Sequence, residues 1–368
     1  MRVPYSYLDR QFANPDPILA DIKKLVQSGD FTLGKEMEKF EESFAKVIGT
    51  KYAVGVGSGT DALLLPLKAL GVGPGDEVIT TANTFVATVG AIETAGARTV
   101  FVDCGPDYVM DVSQVEAAIT KKTKCILPVQ FAGQPVNMSA LLEVANKHGI
   151  PVLEDACQGI DSSVDGKNCG TWGVMGGFSL HPLKNLNVWG DAGVVTTNSE
   201  ELRDKLHLLR NHGMINRDEY AIYAYNSRLD TLQAIVGNHL IKDMKWITDK
   251  RIENAKKLDT AFKDLEEFVL LPERKKNERC VYHLYMMLVK ERNELLKFLN
   301  DKGVEAKVHY PIPLHLQPAS KHLGYKLGDF PVAESQAKSL LTLPVHQHLT
   351  DEEMDFMITS VKEFYKGK

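Results

Sequence analysis

From about residue 51 the chain repeats one unit: a short apolar, β-branched run, a turn, then a stretch with helical spacing. A-V-G-V (53–56) precedes G-S-G-T and the helix-like D-A-L-L-L-P-L-K-A-L. E-V-I-T (77–80) precedes V-A-T-V-G-A-I-E-T-A, which leads into R-T-V-F-V-D (98–103). The unit recurs with C-I-L-P-V (125–129), a helix around Ala140–His148, and P-V-L-E-D-A (151–156). Continuously apolar strands are buried on both faces, and the helices between them return the chain across the sheet. The pattern predicts an α/β fold with a mostly parallel sheet covered by helices on both sides. Ligands in such sheets gather at the carboxyl ends of the strands. The residues just after each strand are therefore the first candidates for chemistry.

Beyond this region, residues 234–268 read as one long, charged amphipathic helix. It is expected to bridge a large domain, 1–250, to a smaller α/β domain, 251–368. The second part should contain a strand at 283–289, a helix at 291–302 and a last helix introduced by Thr350, with acidic residues behind it. A chain of 368 residues with 44% hydrophobic content can bury cores of that size. A net charge of -5 gives no general attraction to nucleic acid or acidic lipid, and no run approaches the roughly 18 apolar residues of a membrane span. The opening M-R-V-P-Y-S-Y-L-D-R has no apolar h-region of a signal peptide. Five cysteines, odd in number and never spaced C-x-x-C, point to a reducing cytoplasm.

Four strand ends carry residues worth weighing. Gly57-Ser58-Gly59-Thr60 can turn backbone N–H groups toward a phosphate at a helix start, or can be a glycine-rich turn with Thr60 as N-cap. Thr84-Phe85 offers a ring-stacking face, or a core aromatic. Glu154-Asp155 supplies carboxylates that can hold a cation, or cap the next helix; Cys157 beside them reads best as a small buried residue. Phe178-Ser179-Leu180-His181 leads to Lys184, whose neighbours Leu183, Leu186, Val188 and Trp189 are apolar. Most lone lysines are solvated charges, yet this one lies at the strand end expected to face a site. A phosphate cradle, a carboxylate, a flat face and an amine at one sheet edge are together what pyridoxal 5′-phosphate (PLP) requires. An anion keeps its ring nitrogen protonated, and desolvation keeps part of the lysine neutral.

The segments G-S-G-T-D-A-L, T-F-V-A-T, E-D-A-C-Q, F-S-L-H-P-L-K, L-R-N-H-G, N-S-R-L-D-T-L-Q-A, H-Y-P-I-P-L-H-L-Q-P and G-D-F-P-V-A-E resemble, in order and over about 300 residues, the DegT/DnrJ/EryC1/StrS sugar aminotransferases. The resemblance implies a fold-type-I PLP enzyme, like aspartate aminotransferase. It implies that Lys184 forms the internal aldimine and then shuttles a proton between the donor's Cα and the cofactor. Asp155 pairs with the pyridine nitrogen, and Gln158 bonds the ring hydroxyl. Gly59, Thr60 and Ser179 hold the phosphate, and Phe85 stacks on the ring. Asn226 reaches the phosphate in the neighbouring subunit, which makes a homodimer with shared sites, and His309 and Tyr310 face the substrate. L-glutamate is the implied amino donor.

One departure bears on substrate. Gly190-Asp191-Ala192-Gly193 stands where the family usually has G-E-G-G, and H-P-L-K-N-L-N-V-W-G-D is most similar to the branch that aminates C8 of a 3,8-dideoxy-manno-octulosonate. A nucleotide-linked 3- or 4-keto-6-deoxyhexose is the alternative acceptor. Sugar dehydratases of this fold carry histidine at the lysine position, and Lys184 argues against that activity. A non-catalytic regulator finds no basic stripe or helix-turn-helix to support it. A nicotinamide dehydrogenase lacks its full glycine fingerprint. A metal site built from His309, His315, His346 and His348 lacks ligand spacing, so no metal is expected.

Overall fold

The computed structural model describes residues 1–368. Seven strands build the central sheet: β1 Tyr52–Val56, β2 Glu77–Thr81, β3 Arg98–Val102, β4 Thr123–Ile126, β5 Leu153–Asp155, β6 Met175–Ser179 and β7 Gly193–Thr197. Their ladders run β1-β7-β6-β5 and β3-β2-β4. Parallel bridges from Ile126 to Val152 and from Val129 to Asp155 join the two halves at β4 and β5. β7 pairs antiparallel with both β1 and β6, and the other neighbours pair parallel. The sheet is thus mostly parallel, with one reversed strand missing from those expected. G-V-V-T-T has strand composition, but its place between β6 and β1 rests on pairing with distant residues such as Tyr52.

Six strands point one way, so their carboxyl ends share one edge. Helices α1 Lys35–Ile48, α2 Asp61–Ala69, α3 Val86–Thr94 and α4 Met138–His148 flank the sheet. Successive strand residues face opposite sides, and the cores divide accordingly. Val195 joins Leu63, Ile92, Leu141 and Leu153 in one core; Val194 and Phe178 join Phe40 and Phe44 in the other. Phe44 and Phe178 meet edge to face at 5.2 Å.

The single helix expected over 234–268 is two: α5 Thr231–Leu240 and α6 Met244–Ala261, joined by a 3-10 turn at Ile241–Asp243. The turn lets consecutive stretches bury different faces. Met244 and Ile247 pack in the second sheet-flanking core, whereas Ala255 and Leu258 pack in a third. That third core covers an antiparallel sheet of Val269–Leu270, Tyr285–Val289 and Leu340–Leu343. The last helix, α7 Asp351–Tyr365, opens with a full capping box between Thr350 and Glu353. Val3, fully buried, joins this core and bridges Val304. The first residues therefore pack against residues 300 positions away. No helix is long and apolar enough to cross a membrane.

Candidate active site

One cavity of about 370 Å³ opens at the carboxyl ends of β1, β2, β5 and β6, and every expected site residue except Asn226 lines it. Asn226 is exposed, forms a backbone bridge to Asn211 and is not part of the cavity lining.

The turn after β1 comes first. Ser58, not Thr60, caps α2: its Oγ accepts from the Asp61 N–H at 3.1 Å and donates to Asp61 Oδ2 at 3.0 Å. Neither backbone nor side chain of the protein accepts from the N–H groups of Ser58, Gly59 or Thr60. A Cβ on Gly59 would lie 2.6 Å from Ser179 Cβ, so only glycine lets the turn close onto β6. The result is a set of free donors at a helix N-terminus, beside the Ser179 hydroxyl.

Glu154 and Asp155 project to opposite faces of β5. Glu154 turns away from the cavity and accepts four hydrogen bonds: from the N–H groups of Gly170, Trp172 and Gly173 at 2.8, 2.7 and 2.9 Å, and from Gln130 Nε2 at 3.0 Å. It caps no helix. Asp155 faces the cavity and accepts from Thr88 Oγ1 at 2.7 Å and the Cys157 N–H at 3.1 Å. Burial pushes its carboxyl up, against those donors and the Lys184 charge. Cys157 is only half buried and lines the cavity; burial and the neighbouring Asp155 raise its thiol well above the ordinary range.

Lys184 sits in the turn between β6 and β7. Its N–H donates to the His181 carbonyl at 2.8 Å, and its carbonyl accepts from Tyr7 Oη at 2.9 Å and Asn187 Nδ2 at 3.1 Å. The backbone is thus held on three sides while the side chain lines the cavity. Burial lowers its ammonium value, opposed by Cys157 and Asp155. Phe85 is 46% exposed, with its ring 5.7 Å from that of Tyr310. Gln158 Oε1 is held by the Ala132 N–H at 2.6 Å, which leaves its NH₂ as the group to donate. His309 Nδ1 lies 3.0 Å from Thr342 Oγ1. Burial, then Lys307 and Lys184, push His309 down to about 4, and burial raises Tyr310 to about 12.

The structure adds Tyr5, His181, Asp191 and His283 to the lining, keeps Thr84 there beside Phe85, and places Thr88 behind Asp155. Asp191 and His181 lie inside motifs already read as site-bearing. Tyr5 had no local signal, since it reaches the cavity only through the N-terminal packing on the third core. The four histidines weighed as metal ligands are engaged separately. His309 bonds Thr342, His315 bonds Glu334, His346 bonds the Pro4 carbonyl and His348 stacks on Tyr7.

Residues 15–362 match the DegT/DnrJ/EryC1/StrS aminotransferase family. A Geobacillus stearothermophilus protein named as a pleiotropic regulatory protein is 40% identical, over 100% of this chain and 99% of its own. The dTDP-3-amino-3,4,6-trideoxy-alpha-D-glucose transaminase of Streptomyces venezuelae is 37% identical, over 94% of this chain and 91% of its own. The crystal structure of S. venezuelae DesV in complex with a ketimine intermediate superimposes with a TM-score of 0.96, at 36% identity, covering 99% and 98% of the two chains. The chain belongs to the DegT/DnrJ/EryC1/StrS aminotransferase family and, with its mostly parallel sheet, strand-end cavity and single inward lysine, has the fold of its PLP enzymes.

Proposed function

We propose that the protein is a PLP-dependent aminotransferase that moves an amino group from L-glutamate to a keto- or aldehydo-sugar. The observation that carries this reading is the set of unpaired N–H groups of Ser58, Gly59 and Thr60 in one cavity with Lys184 and Asp155. These residues fit the cofactor: free donors and a hydroxyl for its phosphate, an under-bonded buried carboxylate for its ring nitrogen, and an amine of lowered basicity. Bound there, PLP supplies an aldehyde that carries amines and a ring that accepts electron density from the carbon being deprotonated.

The chain's own residues do the rest. The Ser58–Thr60 turn and the Ser179 hydroxyl would anchor the phosphate. Asp155, positioned by Thr88 and Cys157, would keep the pyridine nitrogen protonated by offering it a buried anion. Gln158 would donate to the ring hydroxyl, and Phe85 would cover one ring face. Lys184 would carry the aldehyde between turnovers and, once released, take the proton from the donor's Cα. Burial lowers the basicity of its amine, which favours the role of base. His309 and Tyr310, both uncharged at neutral pH, would hydrogen-bond the sugar without competing for that proton.

A homodimer in which Asn226 serves the partner's phosphate is supported by its exposure and by exposed Ile215, Tyr220, Ile222 and Tyr223 in the adjoining segment. Mixing Lys184→Ala and Asn226→Ala subunits should then restore part of the activity that each variant lacks. A cytoplasmic location and the division into domains 1–250 and 251–368 belong to the same reading. For the acceptor, the segment His181–Asp191 supports the C8 aldehyde of an 8-oxo-3,8-dideoxy-manno-octulosonate, a lipopolysaccharide sugar; the Streptomyces relative's name supports a nucleotide-linked keto-sugar. The test is direct. Purified protein should absorb in the visible, lose that band with borohydride, and lose both band and transamination in Lys184→Ala. A colourless protein that does not take up PLP overturns the reading. L-glutamate assayed with a panel of both sugar classes decides the acceptor.

A further inference from the structure

Behind the cavity wall lies a small annex of about 20 Å³, room for one water-sized group. It shares Tyr5, Leu183 and His283 with the main cavity, and its other walls include Arg251, Tyr7 and His346. No Asp or Glu lines it.

Arg251 is only 2% exposed. Its Nε donates to Gln347 Oε1 at 3.1 Å and its Nη1 to the Tyr282 carbonyl at 3.1 Å, both neutral acceptors; Nη2 has no protein partner. The Tyr7 ring lies 5.3 Å from the guanidinium carbon. A guanidinium cannot shed its proton, and a buried charge without a counter-charge is costly. The carboxylate beyond His346, Glu353, is already held by both Arg10 Nη atoms. Elsewhere the protein pairs buried arginine in the ordinary way, as Arg210 does with Glu41. Two further groups at the annex lack partners. His283 Nδ1 is buried with none, and the Tyr5 hydroxyl forms no hydrogen bond within the protein. Burial together with Lys184 and Arg251 keeps His283 neutral, so its Nδ1 can carry a proton to donate.

We propose that the annex is an anion subsite of the active centre, where Arg251, His283 and Tyr5 take one oxygen of a substrate carboxylate, or a halide when no carboxylate is present. Tyr5, Leu183 and His283 are shared with the cavity that Lys184 lines, so a carboxylate of a substrate bound there needs to pass only these shared walls. The carboxylate half rests on the aminotransferase reading; the halide half does not.

Bromide soaks of wild-type crystals, read by anomalous scattering, test the site without any substitution. A bromide peak in the annex that disappears on adding L-glutamate supports the proposal in full. A bromide peak that persists with bound glutamate supports the anion subsite and removes the carboxylate from it. An annex that holds only water under both conditions overturns it. In solution, Arg251→Met should weaken L-glutamate binding to the coloured holoenzyme about tenfold or more, with Arg251→Lys recovering part of the loss. Unchanged glutamate binding in a folded, coloured Arg251→Met overturns the carboxylate half. If wild-type spectra do not respond to glutamate at all, the aminotransferase reading fails instead, while the bromide result still stands.

Discussion

The wall behind β5 and the cavity in front of it are built from the same kinds of polar group, left in different states. Behind, Glu154 accepts four hydrogen bonds, and Gln130 bonds both Glu154 and the Val136 N–H. In front, Asp155 has two donors, three backbone N–H groups have no acceptor, and Arg251 has no counter-charge. Buried polar groups are almost always paired. A wall that is fully paired is therefore structural, and a surface that leaves its groups unpaired is shaped for something absent from the chain itself. Two consecutive residues, one on each face of a strand, separate those roles.

Four outcomes break or sharpen this comparison. The largest effect should come from exchanging alanine at the paired positions. Glu154→Ala leaves three backbone donors buried and should cost about 3 kcal/mol or more in denaturant unfolding of the cofactor-free protein. Asp155→Ala removes the acceptor of only two donors and should cost clearly less of that stability, while cofactor binding, followed by visible absorbance, weakens by about a hundredfold. Equal losses of stability would erase the distinction.

Next in size, Gly59→Ala should lower cofactor affinity about tenfold, because its Cβ would press on Ser179 and move the donor turn. Full affinity would mean that the turn is not the cradle.

The third outcome concerns pH. Burial pushes His309 down to about 4 and His346 to about 3, from an ordinary 6.5. Between those values the unfolded chain binds more protons than the folded one, so stability should be full above pH 6.5 and fall as the pH drops toward 4. His309→Asn should flatten part of that decline; an unaltered pH curve would remove His309 from the buried cavity wall.

The smallest effect belongs to Phe85→Leu. It keeps an apolar surface but loses the flat face, and should weaken cofactor binding only severalfold. A loss as large as that of Asp155→Ala would make Phe85 more than a cover.

Much of this was legible in the chain. Strand and helix periodicity located β1 to β6, and the residues following four of them proved to share one cavity, because parallel strands bring their carboxyl ends to one edge. Lys184 among apolar neighbours, Gly59 in a tight turn and Asp155 at a strand end were all visible as local chemistry. The two-helix break at Ile241–Asp243 was not, since no proline marks it and the cause is packing into two different cores.

What the sequence by itself determined, then, is the order of elements and the identity of the groups at their ends, because both follow from local spacing. Tertiary structure alone decided the rest. The reversed β7 found its place through ladders to distant strands, and Ser58 rather than Thr60 became the cap through the actual turn. Tyr5, His283 and Arg251 met behind Lys184 although they are separated by up to 278 positions. Whether a polar group ends paired or waiting depends on what lies across from it, and that is a property of the packed molecule.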